Sequence, residues 1–340
     1  MKVLQVMAGA AQGGAETFFV QLVSALQRRG VDQHAVIRTH AKRAATLRAA
    51  GVEVTEVPFR GALDVASGMR VRGIAKRFAP KVAIAWMGRA ASVLPHGAHV
   101  NVGRLGGWYD LKRFRSCDHL VANTRAIRDW CIEQKWPAER VHFIPNFVNW
   151  HVAVPQPRAA LQTPDDATVL LALGRLHRNK AFDVAIRALA DVPGTYLWLA
   201  GEGELRTDLE KIAEEAGVTD RVRFLGWRDD KESLFAAADI CLVPSRDEPF
   251  GNVVLDAWAS GTPLVVADAE GPREFVRDGA DALMVPKDDA AALAAAINRL
   301  IASPDLRRTL AEGGKARWQA DFTEAACVAA WKDFFAKVTA

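Results

Sequence analysis

Along the first half of the chain, short aliphatic and β-branched runs alternate with stretches whose apolar residues recur at helical spacing. Residues 2–7 (KVLQVM) read as a strand, and in residues 16–30 Phe18, Phe19, Leu22, Val23 and Leu26 line one helical face, with Gly30 as a C-cap. QHAVIRT, VEVTEVPF, KVAIAWM, HVNVGRL, DHLVANT and ERVHFIPN continue the strands, with helical segments between most of them. That rhythm predicts a parallel sheet covered on both faces.

Between Phe147 and Ala167 the alternation stops in a stretch with three prolines and no clean period, which reads as a hinge. A second alternation starts at TVLLALGRL and runs through YLWLAGEG, RVRFLGW, DICLVPS and PLVVAD. Three helical runs without intervening strands close the chain. The expected organisation is α/β: two Rossmann-like, doubly wound parallel-sheet domains at residues 1–150 and 167–320, a linker at 151–166, and a helix at 321–340 bracing the two lobes.

Composition narrows the chemistry. No apolar run reaches the roughly 18–20 residues of a membrane span and no signal-like segment opens the chain, so the expected location is cytoplasmic. Cys117, Cys131, Cys241 and Cys327 lie far apart with no CxxC, and neither an HExxH nor an Asp-x-Asp pair occurs. No disulfide framework or zinc site is implied, and the expected chemistry runs without a bound metal. Net charge is +4, yet residues 1–160 hold 23 Lys and Arg against 10 Asp and Glu, which leaves −9 on the remainder. A basic first half fits an anionic partner or, equally simply, a solvated surface.

In an open parallel sheet the ligand lies beyond the carboxyl ends of the strands, so polar residues just after each strand are the candidates. Gly13 and Gly14 would let backbone N–H groups approach a phosphate or sugar, although a plain strand-to-helix turn accounts for them equally well. Arg175 and Lys180 follow an apolar strand and suit a pyrophosphate, one by its fork and one as a point charge. Gly201, before Glu202 and Gly203, and the pair Trp227 and Arg228, suited to a planar base, add support.

The stretch SRDEPFGNVVLDAW carries most information. Gly251 permits a tight turn into a helix starting near Asn252, whose unpaired N–H groups and dipole form an anion site. Asp256 falls one turn inside, about 6 Å along the axis, while Glu248 hangs from the preceding loop. Two carboxylates flanking an anion site are good acceptors for sugar hydroxyls. Alone, either acid would read as a helix-start or solvated loop residue.

GGAE, VANT, IPNFVN, LGRLHRNKAFDVAIRAL, LAGEGE, RVRFLGW and EPFGNVVLDAWASGTPLVV together resemble family 4 of the glycosyltransferases, retaining nucleotide-sugar enzymes of the GT-B fold, over nearly the whole chain. The resemblance implies two Rossmann-like domains facing a central cleft, an acceptor domain followed by a donor domain that close about the linker. It implies that Arg175 and Lys180 bind the donor diphosphate and that Glu248 binds the transferred sugar. The backbone amides of Phe250, Gly251, Asn252 and Val253 would meet sugar and phosphate, Asp256 the ribose, and Gly13 with Gly14 would close over the diphosphate. A UDP-sugar donor, a glycan or lipid-linked acceptor of the lipopolysaccharide type, and no metal or other cofactor follow from the same likeness.

Two departures stand out: Asp256 replaces the family's Glu, and Gly106 stands where many relatives carry a His in an HG step. Arg104, two residues earlier, faces the donor or an anionic acceptor, or else is a structural cation at the sheet end. SGMRVRGIAKRFAPK, with five basic residues in fifteen, reads as a helix on the anionic inner face of the cytoplasmic membrane or as a solvated helix face. Rival readings are an epimerase or phosphorylase of the same fold and a nucleotide-sugar-binding protein without catalysis. Neither domain has a GxGxxG, against a nicotinamide enzyme, and the basic residues lack interleaved aromatics, against a nucleic-acid partner.

Overall fold

The computed structural model describes residues 1–10, 13–60 and 64–340. Two compact units form, residues 1–147 with 324–340 and residues 148–323. The stretch 151–166, read as a linker, therefore groups with the second unit, and the last helix groups with the first.

The first unit carries strands β1 (Lys2–Met7), β2 (Asp32–Arg38), β3 (Glu53–Val57), β4 (Val82–Trp86), β5 (Val100–Leu105), β6 (His119–Ala122) and β7 (Val141–Phe143). They form one parallel sheet in the order β3-β2-β1-β4-β5-β6-β7. The second unit carries β8 (Thr168–Leu173), β9 (Thr195–Ala200), β10 (Val222–Gly226), β11 (Ile240–Val243), β12 (Leu264–Ala267) and β13 (Leu283–Val285), ordered β10-β9-β8-β11-β12-β13, also parallel. Both are doubly wound, and their winding reverses between β1 and β4 and between β8 and β11, the places where such sheets bind ligands.

Each sheet has an apolar cluster on both faces, which explains why its central strands read as nearly continuous apolar runs. In the first unit, Phe18, Phe19, Leu22, Val23 and Leu26 of the helix Gly14–Arg28 enter the same cluster as Trp331 and Phe335 of the helix Glu324–Thr339. Burying each such side chain contributes about 1.5–3 kcal/mol, so the last helix is part of this unit's core. Gly30, at φ +82, ends the first helix as expected.

In the second unit the helix Pro304–Asp321 lies against the helix Asn252–Ser260 through Gly314, where an added Cβ would fall 2.2 Å from Cδ1 of Trp258. The Gly313–Gly314 step, unfavourable for helix formation by itself, is thereby a packing requirement. All four cysteines are free and buried. Among the described residues no helix is long and apolar enough to cross a membrane.

Candidate active site

In the second unit the loops after β8 and β11 border the point where the winding reverses, and the structure brings their polar side chains together. Lys180 donates to Oε2 of Glu248, which also accepts from Oγ of Ser245 at 3.3 Å. Glu248 is 9% exposed, so this carboxylate is held by its two partners inside the loop rather than solvated. Arg175 is exposed, and its guanidinium has no hydrogen-bond or ion-pair partner among the described residues. One cation is thus engaged and one open.

The two loops are fastened by residues that sequence reasoning missed. Arg246 forks onto both oxygens of Asp183 at 2.8 and 2.7 Å and also pairs with Asp288. Burial would raise the Asp183 carboxyl, but Arg246 and Arg187 hold it below the usual carboxylate range. Asn179 accepts the backbone N–H of Arg246 at 2.8 Å and donates from Nδ2 to Asp247 at 3.0 Å. Arg246 and Asp183 are 63 residues apart and Asn179 and Asp247 are 68, and no local pattern signals the pairing.

The glycines here have distinct causes. Gly251 has φ +97 and caps the helix Asn252–Ser260, turning the chain so that the helix N-terminus follows directly on Glu248 and Phe250. Gly271 donates to the Glu248 carbonyl at 2.9 Å, and a Cβ there would meet that oxygen at 2.6 Å. Gly201 is buried, and a Cβ on it would fall 1.8 Å from the Gly174 carbonyl oxygen, so close packing of two loops accounts for it. The Phe250 ring points into the core, 5.2 Å from Phe275, leaving its backbone for any ligand contact. Asn252 and Val253, which begin the helix, are half-buried.

Asp256 is buried on that helix, with Oδ1 2.5 Å from Nζ of Lys231. Burial raises its carboxyl pKa, Lys231 opposes the shift, and Glu232 adds to it. Lys231 belongs to the helix Lys231–Ala237 and escaped the sequence reading. Nearby, Trp227 is 41% exposed and donates to Asp229 at 3.1 Å. Arg228 spends its fork on Asp230 at 2.7 and 2.6 Å and reaches Gln156 at 2.9 Å, and the Asp230 contact raises its pKa.

In the first unit Gly13 caps the helix Gly14–Arg28 with extended backbone, and residues 11–12 of the preceding loop lie outside the described residues. Ala10 is held by Glu16, which accepts its N–H at 2.7 Å, and by Arg43, which donates to its carbonyl at 2.8 Å. A Cβ on Gly9 would fall 2.4 Å from the Glu16 carboxylate, which would have to shift to admit it.

Arg104, for which the sequence left two readings open, is buried. It is 3% exposed, donates to Asn146 at 2.7 Å and to the Val121 carbonyl at 3.4 Å, and lies over the rings of Phe18 and Trp331 at 5.6 and 5.7 Å. Burial pulls its pKa down to about 10. Enclosed this way it has the surroundings that the structural-cation reading expects. Among the described residues no group of three or more His, Cys, Asp and Glu is arranged to hold a metal.

Comparison with known proteins agrees with this geometry. Residues 154–317 match the family described as Glycosyl transferases group 1, and residues 12–151 match Glycosyltransferase Family 4. The lipopolysaccharide core biosynthesis glycosyltransferase LpsE of Rhizobium meliloti is 40% identical over 329 residues, covering 95% of this chain and 96% of the relative. LpsD of the same organism, with the same description, is 37% identical over 340 residues, covering 98% of each. Among solved structures, Anabaena HepE in complex with UDP and glucose superposes with a TM-score of 0.86 at 22% identity, covering 99% of this chain and 100% of the other. WaaG, a glycosyltransferase involved in lipopolysaccharide biosynthesis, gives 0.74 at 18% identity over 97% and 98%.

Proposed function

Because the chain belongs to the group 1, family 4 glycosyltransferases of the GT-B fold, we propose that it moves a sugar from a UDP-sugar to a glycan of the lipopolysaccharide core, with retention and without a metal. The observation that carries this reading is the Lys180–Glu248 pair beside the N-terminus of the helix Asn252–Ser260, at the reversal point of the second sheet. The UDP complexes of HepE and the lipopolysaccharide core assignment of LpsE and LpsD support the choice of donor and acceptor.

In this mechanism the bond from the sugar's anomeric carbon to the donor phosphate breaks, and the acceptor oxygen bonds to that carbon on the same face. The acceptor's proton passes to the departing phosphate oxygen. Negative charge grows on the phosphate, so Arg175, Lys180 and the amides at Gly251, Asn252 and Val253 do the stabilising. Glu248 orients the sugar through its hydroxyls, and Asp256 with Lys231 addresses the ribose. With two cations and a helix terminus against the diphosphate, no protein-bound metal is needed.

The acceptor reading extends to the first unit. The helix Val65–Phe78 exposes Val65 and Met69, 70% and 64% exposed, alongside exposed Arg70, Arg72, Lys76 and Arg77. An apolar pair among cations suits the anionic headgroups of a membrane's inner face, where a lipid-linked acceptor is met from the cytoplasm. Flotation with phosphatidylglycerol vesicles, lost on Met69→Glu and absent with neutral vesicles, is the expected result.

Calorimetric titration with UDP, GDP and ADP, followed by assay of UDP release from UDP-glucose and related donors, tests the central proposal. UDP binding and a loss of about a hundredfold in transfer for Lys180→Ala are expected. Full transfer by Lys180→Ala or Glu248→Ala would remove the proposed site.

A further inference from the structure

Resting on the reading of the first unit as the acceptor domain, we propose that Asn123 and Tyr109, facing the space left by Gly106, form a sugar-hydroxyl subsite for the acceptor glycan. Gly106 directly follows β5 and Asn123 directly follows β6, so both lie at the carboxyl ends of neighbouring strands, the ligand edge of a parallel sheet. A Cβ on Gly106 would find only Nδ2 of Asn123 at 3.6 Å and the Tyr109 hydroxyl at 4.0 Å, both ordinary contacts. The glycine is therefore not demanded by packing. Its place lies against an amide and a phenol.

Both rim groups have unused hydrogen-bonding capacity. Asn123 is 4% exposed and its Oδ1 has no partner among the described residues. Of the orphaned buried side-chain atoms there, on Ser24, Asn101, Asn123, Arg317 and Trp331, it alone follows the carboxyl end of a strand. Native folds rarely leave a buried amide oxygen unpaired without a ligand or water to complete it. The Tyr109 hydroxyl makes no hydrogen bond among the described residues, while its ring stacks on Phe114 at 6.4 Å. Burial and the nearby Glu16 carboxylate push its pKa up, Arg104 opposes them, and the phenol is protonated at neutral pH as any tyrosine is.

An amide that donates and accepts, next to a phenol that does the same, matches the two-way bonding of a sugar hydroxyl and discriminates poorly for phosphate. The subsite thus reads a neutral glycan.

The test titrates 15N-asparagine-labelled protein with methyl glycosides of glucose, galactose and mannose and with core oligosaccharide released from rough lipopolysaccharide. Each titration runs with and without UDP, so a failure to bind UDP would count against the donor reading and leave this test standing. At least one probe is expected to move the Asn123 side-chain amide resonance, and Tyr109→Phe to weaken that probe's affinity about tenfold, as loss of one hydrogen bond does. Asn123→Ala and Gly106→Ala should abolish or weaken binding with Tm and UDP affinity unchanged. The proposal is overturned if no probe moves the resonance, if Tyr109→Phe binds as the wild type does, or if Asn123→Ala lowers Tm while sugar binding survives.

Discussion

Nζ of Lys231 lies 2.5 Å from Oδ1 of Asp256, yet the two partners are not equally enclosed: their side chains are 26% and 8% exposed. Removing one leaves the other in a very different position. Lys231→Met strands a buried carboxylate, whereas Asp256→Asn leaves an ammonium that can turn to water. Urea denaturation at pH 7 should show a loss of about 2 kcal/mol for Lys231→Met and about 0.5 kcal/mol for Asp256→Asn. The pH dependence has a definite sign. Burial raises the Asp256 carboxyl and Lys231 opposes it, so without Lys231 the folded-state pKa rises further above the unfolded one. The folded state then takes up the proton first, so the Lys231→Met deficit shrinks as pH falls through the raised pKa and grows as pH rises through it. Equal losses for both variants, or a deficit independent of pH, would contradict this picture.

Arg175 presents the opposite case, an exposed guanidinium without a partner among the described residues. Its removal should cost no stability. If it binds the donor diphosphate, Arg175→Ala will lower kcat/KM for the donor by tenfold or more, about 1.4 kcal/mol, at unchanged Tm. Arg175→Lys should recover only part of this, because an ammonium lacks the fork. Recovery to the wild-type rate by lysine would show that charge alone suffices.

Arg104 tests the structural-cation reading that its burial supports. Its neighbours are Asn146, the Val121 carbonyl and two aromatic rings, and no acid pairs with it among the described residues. Methionine keeps most of that volume, so Arg104→Met should retain acceptor KM and fold at a cost within about 1–2 kcal/mol. Arg104→Ala opens a cavity and should lose more, about 2–4 kcal/mol. An acceptor KM raised tenfold in Arg104→Met with unchanged stability would return this residue to the binding site.

These cases show what the chain reveals before folding. Both sheets were legible because their central strands are buried on two faces and read as apolar runs, and the Glu248 to Asp256 stretch because its turn and helix start are local. Strand order depends on contacts between distant segments, and the pairing of Arg246 with Asp183 spans 63 residues, which no window of sequence contains. The surroundings of Arg104 were hidden for a related reason. Its environment is completed by Trp331, on a helix that returns to the first unit from the far end of the chain. Lys231 passed unnoticed because a lysine opening a helix is unremarkable until a buried acid from another helix faces it.

Gly314 provides the sharpest structural test, because the pattern of the chain argues against it. A glycine pair inside an 18-residue helix should weaken that helix, and by propensity alone Gly314→Ala would stabilise it by about 1 kcal/mol. The structure predicts the reverse. A methyl group at this position meets Cδ1 of Trp258 at 2.2 Å and Nε1 at 2.8 Å, and that ring is held by its hydrogen bond to the Asp281 carbonyl at 2.8 Å and packs against Phe275 and Phe322. Trp258 cannot move without disturbing the helix that carries Asp256, so Gly314→Ala should lose about 1–3 kcal/mol in chemical denaturation and weaken UDP binding along with it. Trp258→Phe should relieve the clash, so the double variant with Gly314→Ala is expected to be more stable than the sum of the two single losses. A Gly314→Ala protein more stable than the wild type would mean that the two helices do not approach this closely.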